Sequence, residues 1–170
     1  SGKLNPADGT YLNEFRRHEA LDISYTKPVP DRESPCNKVV PPLGLLYVGW
    51  NDPGEWFKLT VETAAAGDYV ADLLYTAQRD ATAAVAVDNG PDQAIALPST
   101  FDAAETIPWR QWHHWNVLPD AVRVTLPRGR SVLTVRVVSG GNFNLATLLF
   151  RPAGMARTGP DILAVKTAAP

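Results

Sequence analysis

Cysteine is nearly absent: Cys36 is the only one in 170 residues. That excludes an intramolecular disulfide framework. The stretch Ser34-Pro35-Cys36-Asn37-Lys38 offers no adjacent base or helix start to activate a thiolate, so Cys36 reads as an inert thiol. An excess of either charge is missing too. Sixteen Lys and Arg against 18 Asp and Glu leave a formal net charge of -2, without the electrostatic footprint of a nucleic-acid or anionic-membrane binder. No apolar run approaches a membrane span, and no signal-peptide pattern opens the sequence. No segment carries a sustained helical stripe with caps. H-E-x-x-H, G-x-S-x-G, Walker-type and Rossmann patterns do not occur.

What is present is punctuation and alternation. Fifteen prolines and 12 glycines bracket short runs of period two, the pattern of half-buried strands. In Glu55–Thr63, Phe57, Leu59 and Val61 share one face, and Trp56, Lys58, Thr60 and Glu62 the other. Further strands are read in 67–78, in 82–87 before an Asp-Asn-Gly turn, in 121–141 as two strands joined by Pro127-Arg128-Gly129, and in 142–150. Eight or more short strands with regular turn signals predict an all-β fold, a jelly-roll β-sandwich of two antiparallel sheets. The expected division is a terminal arm or linker over 1–14, one β-sandwich over 15–151, and a second arm or linker over 152–170.

The densest aromatic stretch is Pro108–Asn116, PWRQWHHWN, which holds three of the five tryptophans and two of the three histidines. Successive side chains of a strand face opposite sides of its sheet. On that rule Trp115, which shares parity with Val117, is a core residue, and Trp112, with His114 and Asn116, is exposed. Trp56 lies on the polar parity of its strand, and Trp50 falls in the loop VGWNDPGEW. Several tryptophans on polar faces suggest a binding surface; the competing reading is a small satellite cluster under the proline-rich loops. Asn142 and Asn144 open the last strand on the parity opposite Phe143 and Leu145. Aromatic faces with a few amides suit a sugar ring, which has an apolar C–H face and a rim of hydroxyls; the alternative is that these asparagines turn the chain after Gly140-Gly141.

The order EWFKLTVETAAAGDYVADLLYTA, AAVAVDNG, the tryptophan-rich loop, and LPRGRSVLTVRVVSGGNFNLATLLF resembles family 6 carbohydrate-binding modules and their family 35 relatives, over about residues 15–151. The resemblance implies a jelly roll whose edge loops hold a sugar ring between two aromatic side chains, with an asparagine of the last strand hydrogen-bonding it. Carried over by position, the platforms are Trp50 and Trp112, and the asparagine is Asn144 with Asn142 as its fallback. Trp56, Asp52 and His114 are expected along the same cleft. Family members often begin with Glu-Ala-Glu, whose carboxylates help hold a structural calcium. Here Glu19 matches and Leu21 replaces the second glutamate, which removes one oxygen ligand. No cofactor is required by this reading.

Catalysis is not expected. Asp52 and Glu55 are the candidate carboxylate pair for glycoside hydrolysis, but nothing evident separates their pKa values, and they read as turn formers or ligand contacts. Adjacent strand residues His113 and His114 would point to opposite faces and could not chelate one metal. The expectation is a non-catalytic module of a secreted or cell-surface bacterial protein, monomeric by itself, whose partners are a poly- or oligosaccharide and a parent glycan-active protein, with no nucleic acid and no membrane insertion. The alternative is a protein-interaction or adhesion module on the same sandwich.

Overall fold

The alternating runs become paired strands in the computed structural model, which describes residues 22–157. Nine strands are found among them: β1 Ile23–Tyr25, β2 Leu46–Asn51, β3 Trp56–Thr63, β4 Gly67–Ala77, β5 Ala81–Val87, β6 Gln93–Leu97, β7 Asn116–Leu126, β8 Gly129–Ser139 and β9 Phe143–Pro152. They form two antiparallel sheets, one ordered β1-β2-β9-β4-β7 and the other β3-β8-β5-β6. The result is the expected all-β sandwich of the jelly-roll kind.

Turn chemistry holds the strands in register. Asp88 and Asn89 both adopt positive φ, 47° and 64°, and Gly90 N–H closes the turn on the Val87 carbonyl at 2.7 Å. Two left-handed central residues match the right-handed twist of flanking strands, which is why Asp-Asn-Gly signals a hairpin. Gly129, at φ 97°, ends the Pro-Arg-Gly turn between β7 and β8.

The core lies between the sheets. Phe57 from β3, Leu73 and Tyr75 from β4, Val85 from β5, Val122 and Val124 from β7, Leu133 and Val135 from β8, and Phe143 and Leu145 from β9 fill it. The parity assignment of β3 holds: Phe57 is buried, Leu59 and Val61 are half-buried against the core, and Trp56, Lys58, Thr60 and Glu62 are exposed.

β4 departs from clean alternation, because its second half is buried on both faces. Leu74 points away from the main core into a second cluster with Val39, Tyr47 and Trp115. The 26–45 connection ties into this cluster: Lys38 and Val39 N–H both donate to the Trp115 carbonyl, and Trp115 Nε1 donates to Asp31. Asp72 of β4 is buried among Arg151, Arg157 and the Asp120 N–H, so residue 157, beyond the expected end of the sandwich at 151, still packs on it.

Candidate functional site

At the end of the five-stranded sheet, β2 loses its regular pairing with β9 between Val48 and Asn51. Trp50 sits in this irregularity at φ 51°, a left-handed conformation that is a genuine outlier for a bulky side chain. Such a residue costs on the order of 1–3 kcal/mol and persists only where neighbours over-determine it. Asn144, at the start of β9, does this: its Oδ1 accepts the Trp50 N–H at 3.1 Å. Gly49 leaves room for the approach, since a Cβ there would lie 3.0 Å from that same oxygen and 3.2 Å from the Tyr47 ring. The backbone is held and the indole is presented, 38% exposed.

The 98–115 connection packs at the same sheet end. Thr100 ties it to the end of β4: its Oγ1 accepts the Ala77 N–H at 2.9 Å and donates to the Trp112 carbonyl at 2.7 Å. Glu105 is a buried anchor. Arg110 forks onto it with Nε at 2.7 Å and Nη2 at 2.9 Å, while Ser34 Oγ and the Ile107 N–H also donate to its carboxylate. The Arg110 guanidinium beside it holds the Glu105 carboxyl at about 2, outweighing burial. Pro108–Arg110 forms one 3₁₀ turn on this anchor and carries Trp109 outward, 56% exposed.

His113 lies between the exposed Trp109 and the buried Trp112. Its ring meets Trp109 edge-on at 6.2 Å and Trp112 at 4.2 Å between centroids. Its Nε2 is 3.4 Å from Asn144 Nδ2, and its Nδ1 is 3.4 Å from Asp31 Oδ1. A continuous set of contacts thus runs from Trp109 through His113 and Asn144 to Trp50.

Several expected positions are corrected by this geometry. Trp112 is buried at 8% rather than exposed, and Trp109, which parity reasoning passed over, is the exposed tryptophan of the loop. Parity failed because 108–115 is a 3₁₀ turn and irregular backbone rather than a strand, with β7 beginning only at Asn116. For the same reason His113 and His114 do not split between a buried and an exposed face; both are buried. His114 donates Nδ1–H to the Thr100 carbonyl at 3.0 Å, with Nε2 3.9 Å from Glu105, and burial pushes its pKa down. It is a loop anchor, not part of an open cleft wall.

Asn144 is fully buried, so its amide serves the protein's own groups, Trp50 and Thr76 Oγ1 among them. Trp115 is core, as expected. Asn142, at φ 54°, donates from Nδ2 to Gln78 Oε1 at 3.1 Å, and a Cβ on the neighbouring Gly141 would lie 2.9 Å from Asp52 Oδ1. Asn142 and Asp52 therefore border the same sheet end as Trp50. Trp56 is exposed on the outer face of the four-stranded sheet, 5.8 Å from Lys58 Nζ. Glu19 lies outside the described residues. Among those residues no group of three or more His, Cys, Asp or Glu could hold a metal ion.

No family model matches the chain, and no curated protein matches it in sequence. Its fold recurs among solved structures. A family 35 carbohydrate-binding module from Clostridium thermocellum matches with a TM-score of 0.54 at 16% identity, over 78% of this chain and 89% of that one. The GH26-CBM35 β-(1,4)-mannanase of Podospora anserina matches at 0.52 and 13%, over 80% of this chain and 26% of its own. A Listeria monocytogenes protein solved in complex with α-D-glucose, β-D-glucose, magnesium and calcium matches at 0.53 and 21%, over 77% of this chain and 11% of its own. The chain is thus structurally similar to family 35 modules over most of its length. It spans most of the free-standing module but only a minor part of the two larger proteins.

Proposed function

We propose that the chain is a non-catalytic carbohydrate-binding module that stacks a sugar ring on Trp50 and Trp109. The observation that carries this reading is Trp50 itself. An indole held exposed on a left-handed backbone, fixed by a buried asparagine from another strand, is strain kept at a surface where no core packing requires it. Trp109 supplies a second apolar face, and Gln78, Asn142 and Asp52 supply hydrogen-bonding groups at the same sheet end. Trp109 takes the platform role that the sequence assigned to Trp112, and Asn144 acts through Trp50 rather than on the sugar.

In this reading the domain targets a parent glycan-active protein, secreted or displayed on a bacterial surface, to polysaccharide. Binding is modest, on the order of micromolar to millimolar, because a shallow site recovers little beyond the association cost. Added salt changes it little, since stacking and neutral hydrogen bonds are screened weakly. A structural calcium held in part by Glu19 is proposed with it, and chelator then lowers the melting temperature.

The test is tryptophan fluorescence titrated with a panel of soluble polysaccharides and their oligosaccharides. A saturable change with one glycan, lost in Trp109→Ala, supports the reading. Silence across a broad panel overturns it in favour of a protein-interaction module with Trp109 in its contact surface.

A further inference from the structure

Asn144 has a fixed orientation, because the Trp50 N–H can only donate and must therefore face the amide oxygen. Its NH₂ group then points to Thr76 Oγ1 at 2.9 Å and to His113 Nε2 at 3.4 Å. An amide nitrogen only donates, so His113 Nε2 must present a lone pair, which puts the ring's single proton on Nδ1. Nδ1 faces Asp31 Oδ1 at 3.4 Å. Burial pushes the Asp31 carboxyl up, but hydrogen bonds from His113, the Lys27 N–H and Trp115 Nε1 outweigh it, and the carboxyl is held below its usual range as an anionic acceptor.

We propose that His113 is the positioning residue of the sugar site. Fixed in its Nδ1–H tautomer by Asp31, it receives the Asn144 amide that holds the Trp50 backbone, so that an acceptor at the Nε2 position keeps the Trp50 platform in place. This rests on the carbohydrate-binding reading above. The opposite tautomer would place an Nε2–H against the Asn144 NH₂, two donors with no acceptor between them. The amide can answer by turning over, which offers its oxygen to His113 and loses the Trp50 N–H, or by moving away from the ring. Either response loosens the contact that keeps Trp50 at φ 51°.

The groups around the ring favour the Nδ1–H tautomer. On the Nδ1 side the Pro28–Arg32 turn presents the Asp31 carboxylate, an acceptor for Nδ1–H. On the Nε2 side β4 and β9 present the neutral Thr76 and Asn144. From its own segment the ring meets Trp109 and Trp112, and the next residue, His114, faces Thr100 and Glu105, with Arg110 beyond them. An acceptor on one side and a donor on the other fix the single ring proton on Nδ1.

The experiment is nitrogen-15 NMR of the glycan-free chain, read for the His113 tautomer and the Trp50 backbone amide. The expected result is a ring protonated on Nδ1. In His113→Gln, whose Oε1 accepts at the Nε2 position, the Trp50 amide should keep its wild-type shift; in His113→Leu, which offers no acceptor there, it should move. A ring protonated on Nε2, or a Trp50 amide that is the same in both variants, overturns the proposal; the wild-type spectrum decides it even if a variant does not fold. Where a glycan binds, His113→Leu should weaken it roughly tenfold, the equivalent of one lost hydrogen bond, and His113→Gln should restore it. A glycan bound equally well by both variants sinks the positioning role and leaves the carbohydrate-binding function standing. No glycan bound by the wild type sinks that function and leaves the NMR result to judge the His113 relay.

Discussion

The backbone N–H of Trp50 donates to Oδ1 of Asn144 at 3.1 Å, joining the end of β2 to the start of β9 across 94 positions of sequence. One buried amide thus decides where an exposed indole stands. Asn144→Ala strands the Trp50 N–H and Thr76 Oγ1 together, which should cost on the order of 1–3 kcal/mol of stability. Because the same change frees Trp50, urea denaturation and glycan titration should both register it, with affinity lost even where the protein remains folded. A variant that loses stability but binds normally would show that Trp50 does not need its anchor.

The strands were legible because their physics is local. Phe57, Leu59 and Val61 alternate with polar neighbours, and Asp88-Asn89-Gly90 spells its own turn. β2 was not legible. Its pattern is broken at Gly49-Trp50 by an irregularity whose cause, Asn144, lies far along the chain. The tryptophan loop failed for another reason. Parity is a property of strands, and Pro108 begins a 3₁₀ turn, which exchanges the expected roles of Trp109 and Trp112. A proline favours the first position of a helical turn, so Pro108 was the available signal. Glu105 carried no signal, since its partners Ser34 and Arg110 meet only in the folded chain.

Trp109 and Trp112 should separate cleanly when each is truncated. Trp109 is largely exposed, so Trp109→Ala should leave the unfolding midpoint within about 0.5 kcal/mol of wild type and abolish the fluorescence response to glycan. Trp112 is buried against His113, so Trp112→Ala should destabilise by roughly 3–5 kcal/mol. Paired thermal melts and titrations would distinguish them. Equal stability loss from both would mean that Trp109 packs as a core residue.

Gly140 and Gly129 share a positive φ, 83° and 97°, but not a neighbourhood. A Cβ at Gly140 would lie 2.5 Å from Ala81 Cβ and 2.6 Å from the Asp80 carbonyl, whereas one at Gly129 meets nothing within 4 Å. Gly129→Ala carries only the conformational cost, about 1 kcal/mol. Gly140→Ala adds a backbone collision at the β8–β9 turn and should cost a further 1–3 kcal/mol or so. Urea midpoints of the two variants test the difference, and equal values would mean that the turn yields freely.

Acid should unfold the loop that carries Trp109 before it reaches the strands. The Glu105 carboxyl is held from 4.5 down to about 2 by Arg110 first, with the Ile107 N–H and Ser34 assisting against burial. A carboxylate whose folded pKa is lowered contributes stability that is whole above about 4.5 and is lost as pH falls through about 2. His114 acts higher up. Burial lowers its pKa below 6.5, so the unfolded chain takes the proton first, and stability begins to fall as pH drops below that value. The difference in melting temperature between wild type and Glu105→Gln isolates the carboxylate, because other groups cancel. It should be largest above about pH 4.5 and narrow steadily toward pH 2. A gap that stays constant over that interval would mean Arg110 and Glu105 do not hold the loop as an ion pair.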